Sequence, residues 1–353
     1  MNVHTLTVSI LALAVAAAAQ TTLVVPAAYD LAWGQSSTSL LGGNSTRTQI
    51  VYHAPFAAGT TVNGISFRCA PSTIDRAAFT ASVELRASSG PNAPGALDPT
   101  FANNIGSDEV VVLPQQTIAV PAMPANRGTG LWLDVPFAVP FVFGMNGNVD
   151  LVVEVRVFSR SAGASWSTDR VFGGVAGVVS NAGIGCGTAT INSSSSGTAS
   201  AYVAGSAISV ALAAAPPSTI ALLVPTLDQK EFAPGLPLPL SLTLVGAGAG
   251  CDLLVRGEAG ALAVVTDGAG AAAATINVAG GFATAGLGFQ WLYFVTPSAA
   301  NPFGLATTPN RSVFVGPRVA VPDIQYVYDL FAAASATGTA TVDACPITRL
   351  MIQ

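Results

Sequence analysis

Apolar residues in this chain come in short runs that alternate in polarity and stop at Gly, Pro, Asn or Ser, and beyond the N-terminal segment no run keeps a helical period long enough for a crossover helix. In Phe79 to Leu85, the residues Phe79, Ala81, Val83 and Leu85 fall on one side while Thr80, Ser82 and Glu84 fall on the other. In Asp150 to Phe158, Leu151, Val153, Val155 and Val157 oppose Asp150, Glu154 and Arg156. A period of two sends alternate side chains to opposite faces of a strand, as a sheet with one solvated face requires. The same reading predicts strands over Gln49 to His53, Val62 to Cys69, Glu109 to Leu113, Leu131 to Val135, Thr198 to Val203 and Ile208 to Leu212. Further along, it predicts Ile220 to Val224, Leu240 to Val245, Leu253 to Arg256, Ala272 to Val278, Phe289 to Thr296, Ile324 to Asp329 and Ile347 to Ile352. Strands following strands disfavour parallel α/β folds. One short helical turn is expected before the Phe79 strand, where Ser72 and Asp75 are spaced as a capping box.

Composition limits what such strands can build. With 51% hydrophobic and 9% charged residues, the 353-residue chain is too apolar to stay disordered. Its 36 glycines and 23 prolines show no collagen period and fit many tight turns. Net charge is −5, with Lys230 the single lysine and the arginines scattered, so no basic stripe invites nucleic acid.

The segment from Leu6 to Ala19 is apolar but shorter than the roughly 20 residues of a membrane-spanning helix. Ala17 and Ala19 supply the small side chains that signal peptidase needs, so residues 1–19 are expected to leave as a signal peptide, with Gln20 as the mature N-terminus. No transmembrane segment is expected in the mature chain, and its location is expected to be extracellular or the cell envelope. Export gives meaning to the four cysteines, Cys69, Cys186, Cys251 and Cys345: an even number in an oxidising compartment reads as disulfides. None forms a CxxC pair and His53 is the only histidine after the signal, so no metal or other cofactor is expected. Two clusters, Asn103, Asn104, Ser107 and Asp108, then Asn146, Asn148 and Asp150, carry oxygen ligands of the kind calcium takes. Ordinary Asn-Gly turn chemistry at Asn146-Gly147 accounts for the second.

The proline pair within Ala213 to Ser218 reads as a linker, because consecutive prolines block helix and central strand alike. The expected fold is all-β: two antiparallel, jelly-roll-like β-sandwich domains, residues 20–214 and a smaller one over 215–353. Disulfides that respect this boundary would be Cys69 with Cys186 and Cys251 with Cys345. Two segments, Gly183-Ile184-Gly185-Cys186 and Gly248-Ala249-Gly250-Cys251, share the pattern GxGC. Together with Thr48 to Arg68, Phe101 to Leu113 and Leu133 to Phe158, these motifs resemble a group of uncharacterised bacterial secreted β-sandwich proteins. The resemblance covers roughly the first 160 residues. It implies export and a sandwich fold, and brings no catalytic residues with it.

Catalytic chemistry finds little purchase. Nucleophilic hydrolysis needs a base beside the nucleophile, and the one histidine after the signal, His53, ends a candidate strand, with no G-x-S-x-G in the chain. The glycine clusters at Gly246 to Gly250 and Gly268 to Gly270 match neither a dinucleotide fingerprint nor a Walker loop. Carboxylates are available for glycoside hydrolysis, but their spacing pairs none of them. Aromatics remain. If Leu131, Leu133 and Val135 face the core, Trp132 and Asp134 must face outward, joining a flat ring to a carboxylate as sugar binding does. Trp291 with Tyr293, and Tyr326 with Tyr328, likewise share faces. Core packing competes with ligand binding for every one of these rings. The sequence therefore points to a secreted, non-catalytic cell-surface or extracellular structural or adhesion protein, whose partners are extracellular glycans or envelope proteins. A pair of carbohydrate-binding modules is the alternative, and a glycoside hydrolase or polysaccharide lyase is third.

Overall fold

A computed structural model describes residues 20–32, 34, 36–38, 40–41, 43–70, 75–123, 131–161, 166–172, 178–195, 202, 205–279, 286–315, 324–341 and 344–353. The signal segment, the turn expected at Ser72 and most of the strand expected over Thr198 to Val203 lie outside the described residues. Among those described, the chain is all-β: antiparallel sheets, no α-helix, and three 3₁₀ turns. Most of the expected strands are present, and several extend further. The Phe79 strand runs to Gly90 and the Trp132 strand to Val142. Leu240 to Val245 departs from expectation. Only Leu240–Ser241 is strand, and Leu242–Val245 curls into a 3₁₀ turn closed by Gly246 at φ +81°.

Two groups of sheets divide the molecule. In the first region, a four-stranded sheet runs in the order Thr21–Val25, Thr348–Ile352, Thr61–Arg68, Trp132–Val142. A six-stranded sheet runs Thr339–Ala340, Ile324–Asp329, Thr46–His53, Asp150–Arg160, Phe79–Gly90, Val110–Val120. Inward side chains of both, including Ile65, Phe67, Leu133, Val135, Leu350, Val83, Val153 and Tyr52, form one buried cluster. In the second region, the central strand Gly286–Phe294 lies between Ile220–Thr226 and Asn310–Phe314, and a three-stranded sheet joins Thr190–Ser195, Ala207–Ala213 and Ala272–Asn277. These bury a separate cluster around Trp291, Phe289, Leu223, Val210 and Ile208.

Strand pairing does not follow a linear cut at residue 214. Ala207–Ala213 pairs with Ala272–Asn277, and Ile324–Asp329 and Thr348–Ile352 return to pair with strands near the start of the chain. Thr21–Val25 and Thr348–Ile352 pair in register from Thr21 opposite Ile352 to Val25 opposite Thr348. The physical reason is sheet completion: the first region's two sheets each lack neighbours that only the C-terminal strands supply.

The disulfide expectation is corrected. The bond joins Cys186 to Cys251, with Cα atoms 4.7 Å apart, rather than Cys69 to Cys186 and Cys251 to Cys345. Cys69 and Cys345 are buried in the first cluster, whereas Cys186 and Cys251 pack beside Leu305 in the second region. Either expected pair would have to span the two cores. The disulfide joins the two GxGC segments, and glycines on either side of Cys186 let its loop approach the sheet closely. A Cβ at Gly185 would sit 2.2 Å from the Thr307 carbonyl oxygen, and one at Gly187 would sit 1.8 Å from the Tyr293 hydroxyl. Glycine therefore lets the loop lie flat on the sheet, where the Cys186 N–H donates to Thr307 O at 3.0 Å.

Candidate functional site

The outer face of the four-stranded sheet carries the strongest cluster of unusual side chains. Register places Val24, Arg349, Ser66 and Asp134 in one row across it, with Arg68 and Trp132 in neighbouring positions on the same face. Their chain neighbours Leu133 and Val135 are buried on the opposite face, so the predicted division of the Trp132 strand is observed.

Part of this face is closed by a clamp. Arg68 and Asp169 are fully buried, bonded through the Arg68 Nε to an Asp169 carboxylate oxygen at 3.0 Å. Arg68 also donates to the Tyr29 carbonyl oxygen and to Ala32 O, the latter at 2.7 Å, while Asp169 accepts the Gly34 N–H at 2.9 Å. Tyr29, Ala32 and Gly34 are thus pinned over the sheet by a buried ion pair whose other polar atoms are occupied. Burial pushes the Arg68 guanidinium below its ordinary range and the Asp169 carboxyl above it, and each partner's charge opposes the other's shift.

Beyond the clamp the face opens into a cleft of about 320 Å³, lined by Thr22, Val24, Asp30, Trp132, Lys230 and Arg349, among others. Trp132 is partly buried. The Arg349 guanidinium lies 4.7 Å from its ring centroid, a cation-π contact, and donates through Nη2 to Asp134 at 2.7 Å. The Asp134 side chain is 56% exposed. Lys230, from the second region, reaches Asp30 at 3.4 Å across the cleft. Sequence reasoning found Trp132 and Asp134 from alternation. It missed Arg349, Lys230 and Asp30, which lie far along the chain and carry no local pattern; only sheet register brings Arg349 beside Asp134.

The second expected pair is corrected. Trp291 and Tyr293 are 0% and 1% exposed, in the core of the second region. Their strand is central and covered on both sides, and the Tyr293 hydroxyl accepts the Ala189 N–H at 3.2 Å. Tyr326 is buried too, and its hydroxyl accepts from Arg170 at 3.1 Å. His53 ends its strand bonded through Nδ1 to Asp150 at 2.7 Å. The two Asn-rich clusters are separate: Asp108 accepts from Asn146 at 3.1 Å in a turn where Asn146 accepts the Asn148 N–H at 2.9 Å and Gly147 sits at φ +85°, whereas Asn103 donates to Asp98 and Asn104 to Gln49.

Comparison with protein-family models, curated proteins and solved structures found no match.

Proposed function

We propose that the protein is an exported, non-catalytic structural or adhesion component of the cell exterior, built from two β-sandwich units after removal of residues 1–19. The observation that carries this reading is the Cys186–Cys251 disulfide, a bond that persists in oxidising compartments and staples loops at the edge of a sheet-built core. Two buried clusters between facing sheets support the sandwich description. Fractionation of the producing cells tests it. The expected result is protein beginning at Gln20, with the disulfide intact, in the envelope or medium; intact Met1 with reduced Cys186 and Cys251 inside the cell overturns it. Turnover of a polysaccharide by the purified chain overturns the non-catalytic part.

A second reading is favoured by one observation. Trp132 stands at a cleft with Asp134, Arg349 and Lys230, an apolar ring among hydrogen-bonding groups, which is the chemistry that recognises sugars. In this reading the adhesion partner is an extracellular glycan, and a glycan array reads it directly.

A further inference from the structure

The arrangement at Trp132 differs from a bare stacking platform. A ring that binds a sugar by stacking must offer an open face, yet Arg349 lies over this ring at 4.7 Å from its centroid. What the cleft offers in its place is two cations, each held by a carboxylate: Arg349 by Asp134 and Lys230 by Asp30. In a chain of net charge −5, its single lysine lines the same cleft as Arg349. Both cations retain donors. Arg349 spends Nε on Ser66 at 3.4 Å and Nη2 on Asp134 at 2.7 Å, and the planar guanidinium carries five N–H groups in all. Lys230 has three, with one long contact to Asp30 at 3.4 Å between side chains 33% and 44% exposed. An exposed pair of that length is weak and screened, so a ligand anion can replace Asp30 at little cost.

We propose that this cleft takes an anionic saccharide, one bearing a carboxylate or sulfate group, held between Lys230 and Arg349. The proposal rests on the carbohydrate-binding reading and names its ligand class. Trp132 is then a positioning residue: its ring fixes the Arg349 guanidinium by cation-π contact, while Asp134 holds Nη2. Thr22 adds a hydroxyl at the rim for sugar oxygens. Asp30 is the built-in competitor for Lys230, which keeps the empty cleft neutralised and makes binding sensitive to ionic strength.

Calorimetric titration of the mature chain with tetragalacturonate, a sulfated disaccharide and the neutral cellotetraose tests this. Binding of either acidic probe, at least tenfold tighter than cellotetraose and weakening with added salt, is the expected result. Carboxylate and sulfate sources are separated by which of the two binds more tightly. Lys230→Gln should lose about tenfold in affinity or more, and Asp30→Asn should gain a few-fold, because it frees Lys230. Trp132→Phe should bind nearly as well as the parent, and Trp132→Leu should bind less well with reduced salt dependence. Lys230→Gln alters one half-exposed side chain, so it reads the charge even if an Arg349 variant fails to fold. Cellotetraose binding as tightly as the acids overturns the anionic preference and leaves the carbohydrate reading standing. Absence of binding by all three probes overturns both. Acid binding that is unchanged in Lys230→Gln and Asp30→Asn overturns the site.

Discussion

Trp132, which opens its strand, and Trp291, in the middle of its own, meet opposite fates. Each shares a face with a group two residues on, Asp134 or Tyr293, and from the strand alone each could face water. Trp132 lies in the last strand of its sheet and lines a cleft; Trp291 lies in a central strand, paired on both sides, with a second layer of β-structure against it. Even Gln290, on the face opposite Trp291, is 0% exposed, and its amide is consumed by Asp252 O and Thr308 O at 2.9 Å each and by the Leu254 N–H. Alternation tells which side chains share a face. Whether that face is covered depends on sheet position and on segments hundreds of residues away.

Three substitutions break this comparison at its strong end. Trp291→Ala should cost about 3 to 5 kcal/mol in urea unfolding, the penalty for emptying a large buried site. Asp169→Ala should cost a similar amount, about 3 to 5 kcal/mol, because it leaves the Arg68 guanidinium buried without its counter-charge. Replacing both Cys186 and Cys251 by Ser opens a loop of 65 residues, which the chain-entropy account values at about 4 kcal/mol. A Trp291→Ala variant as stable as the parent would place that ring on a surface and restore it as a ligand candidate.

At the middle of the scale, Trp132→Ala should cost about 1 to 2 kcal/mol, since the ring is partly buried and makes cation-π contacts with two guanidinium groups, Arg349 at 4.7 Å and Arg68 at 5.8 Å. Thermal unfolding of the two tryptophan variants side by side sharpens the contrast. A loss for Trp132→Ala as large as for Trp291→Ala would make the outer face a second core and remove the cleft.

Much of this was legible in the sequence, and the rest was hidden for identifiable reasons. The faces of the Phe79, Trp132 and Asp150 strands follow from period two, because a half-buried sheet writes that period directly into the chain. The burial of Trp291 also left a trace: Gly286–Phe294, GLGFQWLYF, contains no charged residue, as a strand covered on both faces would read, whereas the Trp132 strand carries Asp134. The cysteine pairing left only the shared GxGC pattern at Cys186 and Cys251, four residues in a glycine-rich chain, which the boundary read at the proline pair outweighed. It depends on Gly185 and Gly187 lying flat against Thr307 and Tyr293, a long-range packing fact. The cleft is hidden in the same way, since Lys230 and Asp30 are 200 positions apart in the chain.

The smallest effect concerns acid, and it bears on both regions. Asp329 in the first and Asp267 in the second each accept backbone N–H bonds within a turn, Asp329 from Phe331 at 2.7 Å and Asp267 from Ala271 and Ala269 at 2.8 Å each. These bonds favour the ionised form and hold both carboxyls below their ordinary range. A carboxyl whose folded pKa lies below its unfolded one contributes stability that is complete above the unfolded value, about 4, and is lost as pH falls through the folded value. Urea midpoints should therefore hold steady from these groups between about pH 7 and pH 5 and decline below about pH 4. Asp267 is exposed and Asp329 partly so, and the decline from each is slight. Asp329→Asn and Asp267→Asn should each flatten part of that decline, and combined they should flatten more, because the two turns share no partner and their effects add. A decline left unchanged in the double variant would assign the acid sensitivity elsewhere, with Asp98, held low by hydrogen bonds from Asn103 and the Thr100 N–H, the next group to replace.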